Sequence, residues 1–354
     1  MKKNPGLMSV ALLLSLAAVQ TSMAASSHHC ANTPSLPTSG TINLRLDNDA
    51  LGGAGQDQGY TNGFLISWIS PNLANRSDDP CLPRLVQHLN RYLAWLQPRG
   101  FDEHNVTMGI GQMMYTPSDP HPRELVANDR PYAGALMASI GYNARSGNRL
   151  RTSQLRVGVM GPASRAGKTQ KAVHNLLNAD HFRGWEHQLH NEPVVQYIHE
   201  RRWRLADNRH SGSRWGWDLI GHAGVSLGNF ATYANTGMEF RFGYLVPDDF
   251  GTAPLRPAGE NTSPVKTVTR DGWAGHLFAA FDGRWVVRDI TLDGNTFRSS
   301  HSVRKKPFVA DLGYGVAFTR NKWRLTIGRY HRTREFHGQR ESPIYGAITV
   351  GRRF

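Results

Sequence analysis

The feature that most constrains the fold of this chain is a two-residue alternation of side-chain character that recurs from Thr41 onward. In the clearest case, residues 308–318, aromatic and aliphatic side chains alternate with small or polar ones. Successive side chains of a strand point to opposite faces, so each such segment has one apolar face and one small or polar face. A tilted strand of about ten residues spans the apolar layer of a bilayer. The pattern therefore predicts an all-β protein whose strands cross a membrane.

The number of alternating segments predicts the architecture. Residues 272–292 count as one strand, because the apolar alternation continues through Asp282-Gly283 without a change of parity. Bacterial single-chain barrels have even strand numbers, which favours twelve strands over thirteen. We therefore predict a twelve-stranded antiparallel transmembrane β-barrel with strands at 41–47, 61–70, 105–115, 131–144, 151–160, 193–206, 214–227, 233–246, 272–292, 308–319, 322–332 and 344–354.

The first residues have the pattern of a secretory signal. Lys2 and Lys3 precede an apolar stretch at 10–19, and small residues follow at 22–24. We expect residues 1–24 to be the signal, 25–40 a periplasmic segment and 41–354 the outer-membrane barrel. A mean hydropathy of -0.47 and the lack of a long apolar run after residue 24 argue against a helical membrane protein. The net charge is +14, but the basic residues are dispersed and form no recognition motif, so nucleic acid is not an expected partner.

An even number of strands puts both ends of the barrel domain on one side, which we expect to be periplasmic. The odd-numbered connections then lie outside, and the long one at 161–192 contains a short predicted helix. The second connection is periplasmic and contains a predicted helix at 82–96, with leucines along one stripe. Cys30 and Cys81 fall on the same side of the membrane. A disulfide between them is a hypothesis.

Polar motifs gather in the outer connections, which we expect to meet at the rim of the barrel. Singly, Asn48-Asp49, residues 57–63 and residues 128–131 are typical of turns, since Asn, Asp and Gly favour unusual dihedrals. The connection at 161–192 is long enough to indicate a function. Its predicted helix places Gln170 and His174, four residues apart, on one face.

Taken together and in this order, the motifs resemble the outer-membrane lipid A deacylase (LpxR) family. The resemblance rests on Asn48-Asp49, Asp57, Tyr60-Thr61-Asn62-Gly63, Asn128-Asp129-Arg130-Pro131-Tyr132-Ala133-Gly134, Gly161-Pro162, Gln170 with His174, Gly184-Trp185 and Asn191-Glu192-Pro193.

The resemblance implies an esterase that removes the 3′-O-linked acyloxyacyl chain of lipid A in a calcium-dependent reaction. It implies that His174 is the catalytic base, that Asn48, Asp49 and Thr61 form the rest of the site, and that Gln170 supports it. Two places depart from the expected pattern: Lys168-Thr169 stand where an acidic residue is expected, and Phe182 where a tyrosine is expected.

The residue types suit this chemistry. A neutral His174 can take a proton from water as the water attacks an ester carbonyl. Calcium prefers oxygen ligands, so Asp49 and Asn48 are the predicted metal ligands, and Thr61 is a candidate hydrogen-bond donor. Four basic residues of the third outer connection suit lipid A phosphates, although solvated loop charge is the ordinary explanation for them: Arg165, Lys168, Lys171 and Arg183.

Other functions remain open at this point. An outer-membrane phospholipase could use similar histidine and calcium chemistry, and a porin or a catalytically silent barrel needs none of it. A serine nucleophile is a rival chemistry, but the sequence has no Gly-x-Ser-x-Gly elbow. The sequence leaves the oligomeric state and the acyl-chain preference open.

Overall fold

The computed structural model describes residues 40–52, 59–74, 88, 101–177, 181–209, 213–252 and 272–354. Twelve strands form a closed antiparallel barrel in which each strand pairs with its neighbours in sequence and the last pairs with the first. The strands are β1 (Thr41–Asn48), β2 (Gly59–Ile69), β3 (Glu103–Thr116), β4 (Ala133–Ser146), β5 (Arg149–Met160), β6 (Glu192–Asp207), β7 (Trp215–Gly228), β8 (Ala231–Tyr244), β9 (Trp273–Asp289), β10 (Phe308–Arg320), β11 (Trp323–Arg332) and β12 (Ile344–Arg353).

This architecture confirms the predicted fold class, strand number and order. Residues 273–289 form one continuous strand through Asp282-Gly283, as the unbroken parity predicts. The predicted strand at 272–292 is wrong at its end, because residues 290–293 turn into a short helix, α2 (Ile290–Asp293). The side chain of Asp289 accepts a hydrogen bond from the backbone N–H of Thr291 and so caps that helix.

The longer helix, α1 (Ala166–Leu177), confirms the helix predicted in the third outer connection. Of the helices among the described residues, none has the length and apolar character needed to cross a bilayer. The predicted helix at 82–96 lies outside the described residues except for residue 88, and so do residues 1–24, Cys30, Cys81 and Asp57.

Both chain ends of the barrel lie at one end of the cylinder, where the backbone N–H of Phe354 donates to the carbonyl of Gly40 at 3.0 Å. We call the opposite end, which carries α1 and α2, the loop end. With an even strand number this is the end that we expect to face outward.

The faces of the strands follow the predicted alternation on the outside. On β9, Leu277 and Trp285 are 58% and 54% exposed, whereas Phe278 and Asp282 between them are buried. An apolar outer surface of this kind suits lipid. The inner face differs from the small and polar lining that the sequence predicts, because large charged side chains fill it.

Buried ion pairs cross the lumen near its loop end. Arg130 donates to Glu335 at 2.9 Å, and Arg332 donates to the other oxygen of Glu335 at 3.1 Å and to Asp311 at 2.8 Å. Burial raises the pKa of Glu335, but the guanidinium groups of Arg130 and Arg332 more than offset that effect and hold the pKa below its ordinary value. The Arg130 guanidinium also lies over the Tyr115 ring, 4.7 Å from its centroid.

A second group of buried pairs fills the end that carries the chain termini. Arg241 is fully buried and donates to Asp218 at 2.8 Å from its Nε atom, and it also pairs with Asp249. Arg204 pairs with Asp218 as well. Charges at both ends of the lumen are therefore neutralised by partners from other strands or connections, as buried charges require.

Replacing Glu335 with glutamine should destabilise the barrel. The change leaves the buried guanidinium of Arg130 without its carboxylate and leaves Arg332 with Asp311 alone, and breaking a comparable buried pair costs about 3–5 kcal/mol. Urea unfolding of the refolded barrel in lipid vesicles measures the free energy of unfolding. The exposed Glu124→Gln is the control and should change it by less than about 0.5 kcal/mol.

The same pair predicts a pH dependence. Because the folded-state pKa of Glu335 is lowered, its stabilisation is present above the unfolded-state pKa and is lost as the pH falls through the folded-state value. The stability difference between the wild type and Glu335→Gln should therefore shrink on acidification. A difference that stays constant to low pH would contradict the assignment.

Candidate active site on the outer wall

The site begins with one row of residues across four neighbouring strands. Asn48 of β1 pairs with Asn62 of β2, Asn62 with Met114 of β3, and Met114 with Gly134 of β4. Asn48 shares the parity of Leu46, which is 48% exposed on the lipid side. The row therefore lies on the outer face of the wall, near the loop end.

Helix α1 packs against this outer face. A methyl group added to Gly134 would overlap the side chain of Ala166 and would come within 2.6 Å of Ser164 Oγ, so only glycine lets the segment approach so closely. Gln112, which shares the outward parity of the exposed Ile110, donates to the carbonyl of Ser164. The sequence predicts that this helix lies at the rim of the barrel; the structure places it near the loop end, packed against the outside of the wall.

The chain reaches this position through a tight turn. The backbone N–H of Gly161 donates to the carbonyl of Gly134 at 2.8 Å, and Gly161 has a φ of 97°, which favours glycine. A single 3-10 turn from Pro162 to Ser164 follows, and Arg165 takes a left-handed conformation just before α1 begins. These local constraints fold the helix back onto β3 and β4.

His174 and Gln170 lie together in a pocket of about 610 Å³ between α1 and residues 181–186. The two side chains are 3% and 2% exposed. The Phe182 ring meets the imidazole edge to face, with 5.9 Å between the ring centroids. His174 and Gln170 therefore lie on the same face of α1, as their spacing predicts.

The amide of Gln170 is held from one side. Trp185 Nε1 donates to Gln170 Oε1 at 2.6 Å. The Gln170 Nε2 atom is buried and makes no hydrogen bond to any residue that the structure describes. A buried amide donor without a protein acceptor is costly, and it is available to an oxygen atom of a bound molecule.

An aromatic layer supports this arrangement. The rings of Tyr132 and Trp185 have centroids 5.2 Å apart, and the Tyr132 hydroxyl accepts a hydrogen bond from the backbone N–H of Gly184. Burial raises the pKa of Tyr132 to about 12, so this phenol stays neutral. Tyr132 and Trp185 are positions at the candidate site that residue-type reasoning did not single out. Their signal lies in the motifs at 128–134 and 184–185.

The other predicted site residues lie at the β1 and β2 side of the row. Asn48 Nδ2 donates to Asn62 Oδ1, and Asp49, just past the end of β1, is 1% exposed. Thr61 is the extra residue of a β-bulge between Tyr60 and Asn62. Bulges of this kind are enriched near active sites.

The predicted site is therefore in two parts on one outer face. His174 and Gln170 share the pocket of α1, whose described lining includes neither Asn48 nor Asp49. Both parts meet the same row of four strands. At a strand spacing of about 4.8 Å, the row from Asn48 to Gly134 measures roughly 14 Å.

The motif at 128–131 contributes less to the candidate site than the sequence suggests. Arg130 enters the lumen network described above, and the Asp129 carboxylate accepts hydrogen bonds from the backbone and side chain of Ser118. Both residues therefore have structural roles.

The donor set at the end of β1 suits a hard cation, as the resemblance implies. A buried carboxylate and an amide oxygen are oxygen ligands of the kind that calcium prefers. Among the residues that the structure describes, no three or more His, Cys, Asp or Glu side chains cluster as metal ligands. A calcium ion held by Asp49 and Asn48 would therefore take its other ligands from backbone carbonyls, amides or water.

A serine and a histidine do meet elsewhere. Ser153 Oγ lies 3.0 Å from His199 Nδ1 on the outer face of β5 and β6. Along the barrel axis, Ser153 lies in the half of β5 nearer the chain termini, whereas α1 lies at the loop end. We assign no chemistry to this pair.

Comparison with known proteins decides the family. The sequence profile of the family described as "Outer membrane protein LpxR" matches residues 8–354, nearly the whole chain. The chain belongs to this family. It is therefore an outer-membrane protein.

One solved structure supports the fold of this LpxR-family barrel, and a second is less similar. LpxR from Salmonella typhimurium is similar with a TM-score of 0.68 at 16% sequence identity, over 89% of this chain and 100% of that one. The β domain of the Bordetella autotransporter BrkA has a TM-score of 0.42 at 10% identity, over 90% of this chain and 99% of that one. No curated protein sequence matches.

The contact at Gly134 can be tested without an activity assay. Gly134→Val should push α1 away from the wall and loosen the backbone around the exposed basic residues at its start, including Arg165 and Lys168, so that trypsin can cleave there. We expect cleavage to be at least about tenfold faster, as for a segment that has lost its packing. The control is Gly272→Val, since an added side chain there meets nothing within 4 Å.

In this experiment, both variants should keep the gel mobility shift of a folded barrel. If Gly134→Val is cleaved at the wild-type rate, α1 does not depend on this contact.

Proposed function

We propose that this protein is an outer-membrane esterase that hydrolyses the 3′-O-linked acyl or acyloxyacyl chain of lipid A, with His174 as the general base. The observation that carries the proposal is the buried His174 and Gln170 pair on the lipid-facing wall near the loop end. A lipid ester can reach that position from the bilayer without entering the lumen. Membership of the LpxR family, and the similarity to LpxR of Salmonella typhimurium, support the same reaction.

The reaction follows from the groups around the pocket. A water molecule attacks the ester carbonyl carbon while a neutral His174 accepts its proton. The bond between that carbon and the 3′ oxygen then breaks, and protonated His174 returns the proton to the leaving oxygen. The products are a free fatty acid and a lipid A with a free 3′ hydroxyl.

Gln170 supplies the oxyanion donor in this proposal. Its buried Nε2 atom would donate to the carbonyl oxygen as negative charge develops there. Trp185 fixes the other amide atom, so the donor is oriented before the substrate arrives. When bound by Asp49 and Asn48, calcium would add positive charge on this face of the wall. We assign Thr61 to the same part of the site as Asn48 and Asp49, because it lies in the bulge of β2 and belongs to the family motif.

The rim of the pocket suits the phosphates of the substrate. Arg123, Lys171 and Arg183 line it and bring positive charge to the polar edge of the bilayer. Arg165 and Lys168 lie outside the described lining. These cations favour a phosphorylated headgroup over a neutral one.

Two alternatives fit the structure less well. A porin requires an open lumen, whereas buried arginine and carboxylate pairs fill this one near both ends. A phospholipase could use the same imidazole, but a zwitterionic phospholipid would gain less from the basic rim.

We also propose that residues 1–24 are a cleaved signal and that residues 25–40 lie in the periplasm.

Replacing His174 with alanine should reduce deacylation by at least about 10²- to 10⁴-fold, the usual contribution of a positioned base. Mass spectrometry of lipid A from cells expressing each variant, with and without calcium, measures the loss of the 3′ chain. His121→Ala, an exposed loop histidine, should keep wild-type activity.

Near wild-type deacylation by His174→Ala would remove the base assignment. Unchanged lipid A together with fatty acid released from phospholipid would favour the phospholipase. Conductance without either product would favour a pore.

Trp185→Phe tests the role of Gln170. This change keeps an aromatic ring but removes the donor to Gln170 Oε1, so kcat should fall about tenfold while KM changes little. In Gln170→Ala, the same tryptophan change should have almost no further effect, because the two residues act as one unit. Additive losses in kcat would contradict this coupling.

A further inference from the structure

We propose that the outer wall of β8, β9 and β10 carries a second lipid-binding groove, which holds a phosphorylated glycolipid of the outer leaflet by its phosphate and one acyl chain. The groove has a volume of about 900 Å³ and lies near the loop end. β9 is five strands away from β4, the strand on which α1 packs. The groove is therefore separate from the His174 pocket.

The groove has a floor of small side chains beside two large aromatic ones. Trp285 and Phe308 pair with each other across β9 and β10 and are 54% and 71% exposed. An added Cβ at Gly283 would meet the Phe281 ring and the carbonyl oxygen of Thr236 at 3.7 and 3.8 Å, which are ordinary contact distances. The floor consists of small side chains on neighbouring strands: Ala234, Thr236, Gly283 and Ala310. An acyl chain fits such a floor, because these side chains are small and the aromatic rings beside them supply apolar contact.

Three cations line the same groove. Arg284 pairs with Asp282 at 2.7 Å. Lys306 is half-buried and Arg334 is exposed, and neither of these two forms an ion pair with another described residue. The neighbouring Lys305 differs, because its ammonium pairs with Asp293 at 2.8 Å. The backbone N–H of Lys306 donates to the carbonyl of Glu335, which fixes this part of the chain beside the groove.

These features together define the occupant. Apolar space beside unpaired cations, near the end of a transmembrane barrel, suits a lipid with an anionic headgroup. A zwitterionic phospholipid brings its own ammonium group and offers these cations less net charge. At the loop end, which we expect to face outward, the lipid that combines phosphate groups with acyl chains is the glycolipid of the outer leaflet. The inference rests on the outer-membrane location and not on the deacylase chemistry.

Native mass spectrometry of the full chain in detergent micelles tests the groove, with bisphosphorylated lipid A as the probe and phosphatidylethanolamine as the comparison. The measurement uses a His174→Ala background so that the probe stays intact. The double variant Lys306→Gln with Arg334→Gln should bind one lipid A molecule fewer than the parent. Because two cations are lost, its affinity for lipid A at the groove should be at least about tenfold lower. Arg304→Gln with Arg340→Gln removes the same charge from exposed positions outside the groove and should bind as the parent does.

A second variant separates shape from charge. Gly283→Leu fills the floor without a backbone clash and should lose the same lipid while keeping both cations. Parent-like binding by Gly283→Leu and by the Lys306 and Arg334 double variant would overturn the proposal, as would equal binding of phosphatidylethanolamine. Deacylation plays no part in the readout, so loss of the proposed function would leave this result standing.

Discussion

Alternation along each strand is the constraint on which the rest of this structure depends. Because neighbouring side chains point to opposite faces of the wall, a residue's parity decides whether it meets lipid or the lumen. The parity of β1 sends Asp47 inward, where its carboxylate pairs with Arg45, and sends Asn48 outward. The candidate reaction centre and the charged interior thus come from adjacent residues of the same strand.

The filled interior and the candidate site on the outer wall both follow from the alternation of side chains along the strands. Buried guanidinium and carboxylate groups occupy the lumen at both ends, so the cylinder acts as a solid support. Removing one partner of such a pair is costly, because the other charge is left buried without compensation. With the interior closed, a lipid substrate would be handled on the outside, where it already resides. Helix α1 supplies the second wall that a flat strand surface lacks.

Much of the fold follows from the sequence because its signals are local. All twelve strands are predicted within a few residues of their bounds, and the helical spacing of Gln170 and His174 is correct. The position of α1 was not predictable, since it depends on the close approach of Ala166 to Gly134, more than thirty residues away along the chain. Arg130 shows the same limit: its carboxylate partner, Glu335, is 205 residues distant.

The most direct test of the central claim is a structure of the His174→Ala protein bound to lipid A in a lipid nanodisc. We expect the 3′ ester carbonyl to lie on the outer face between α1 and the strands, with its oxygen within hydrogen-bonding distance of Gln170 Nε2. A lipid A whose 3′ ester lies in the lumen, or away from α1, would contradict the claim.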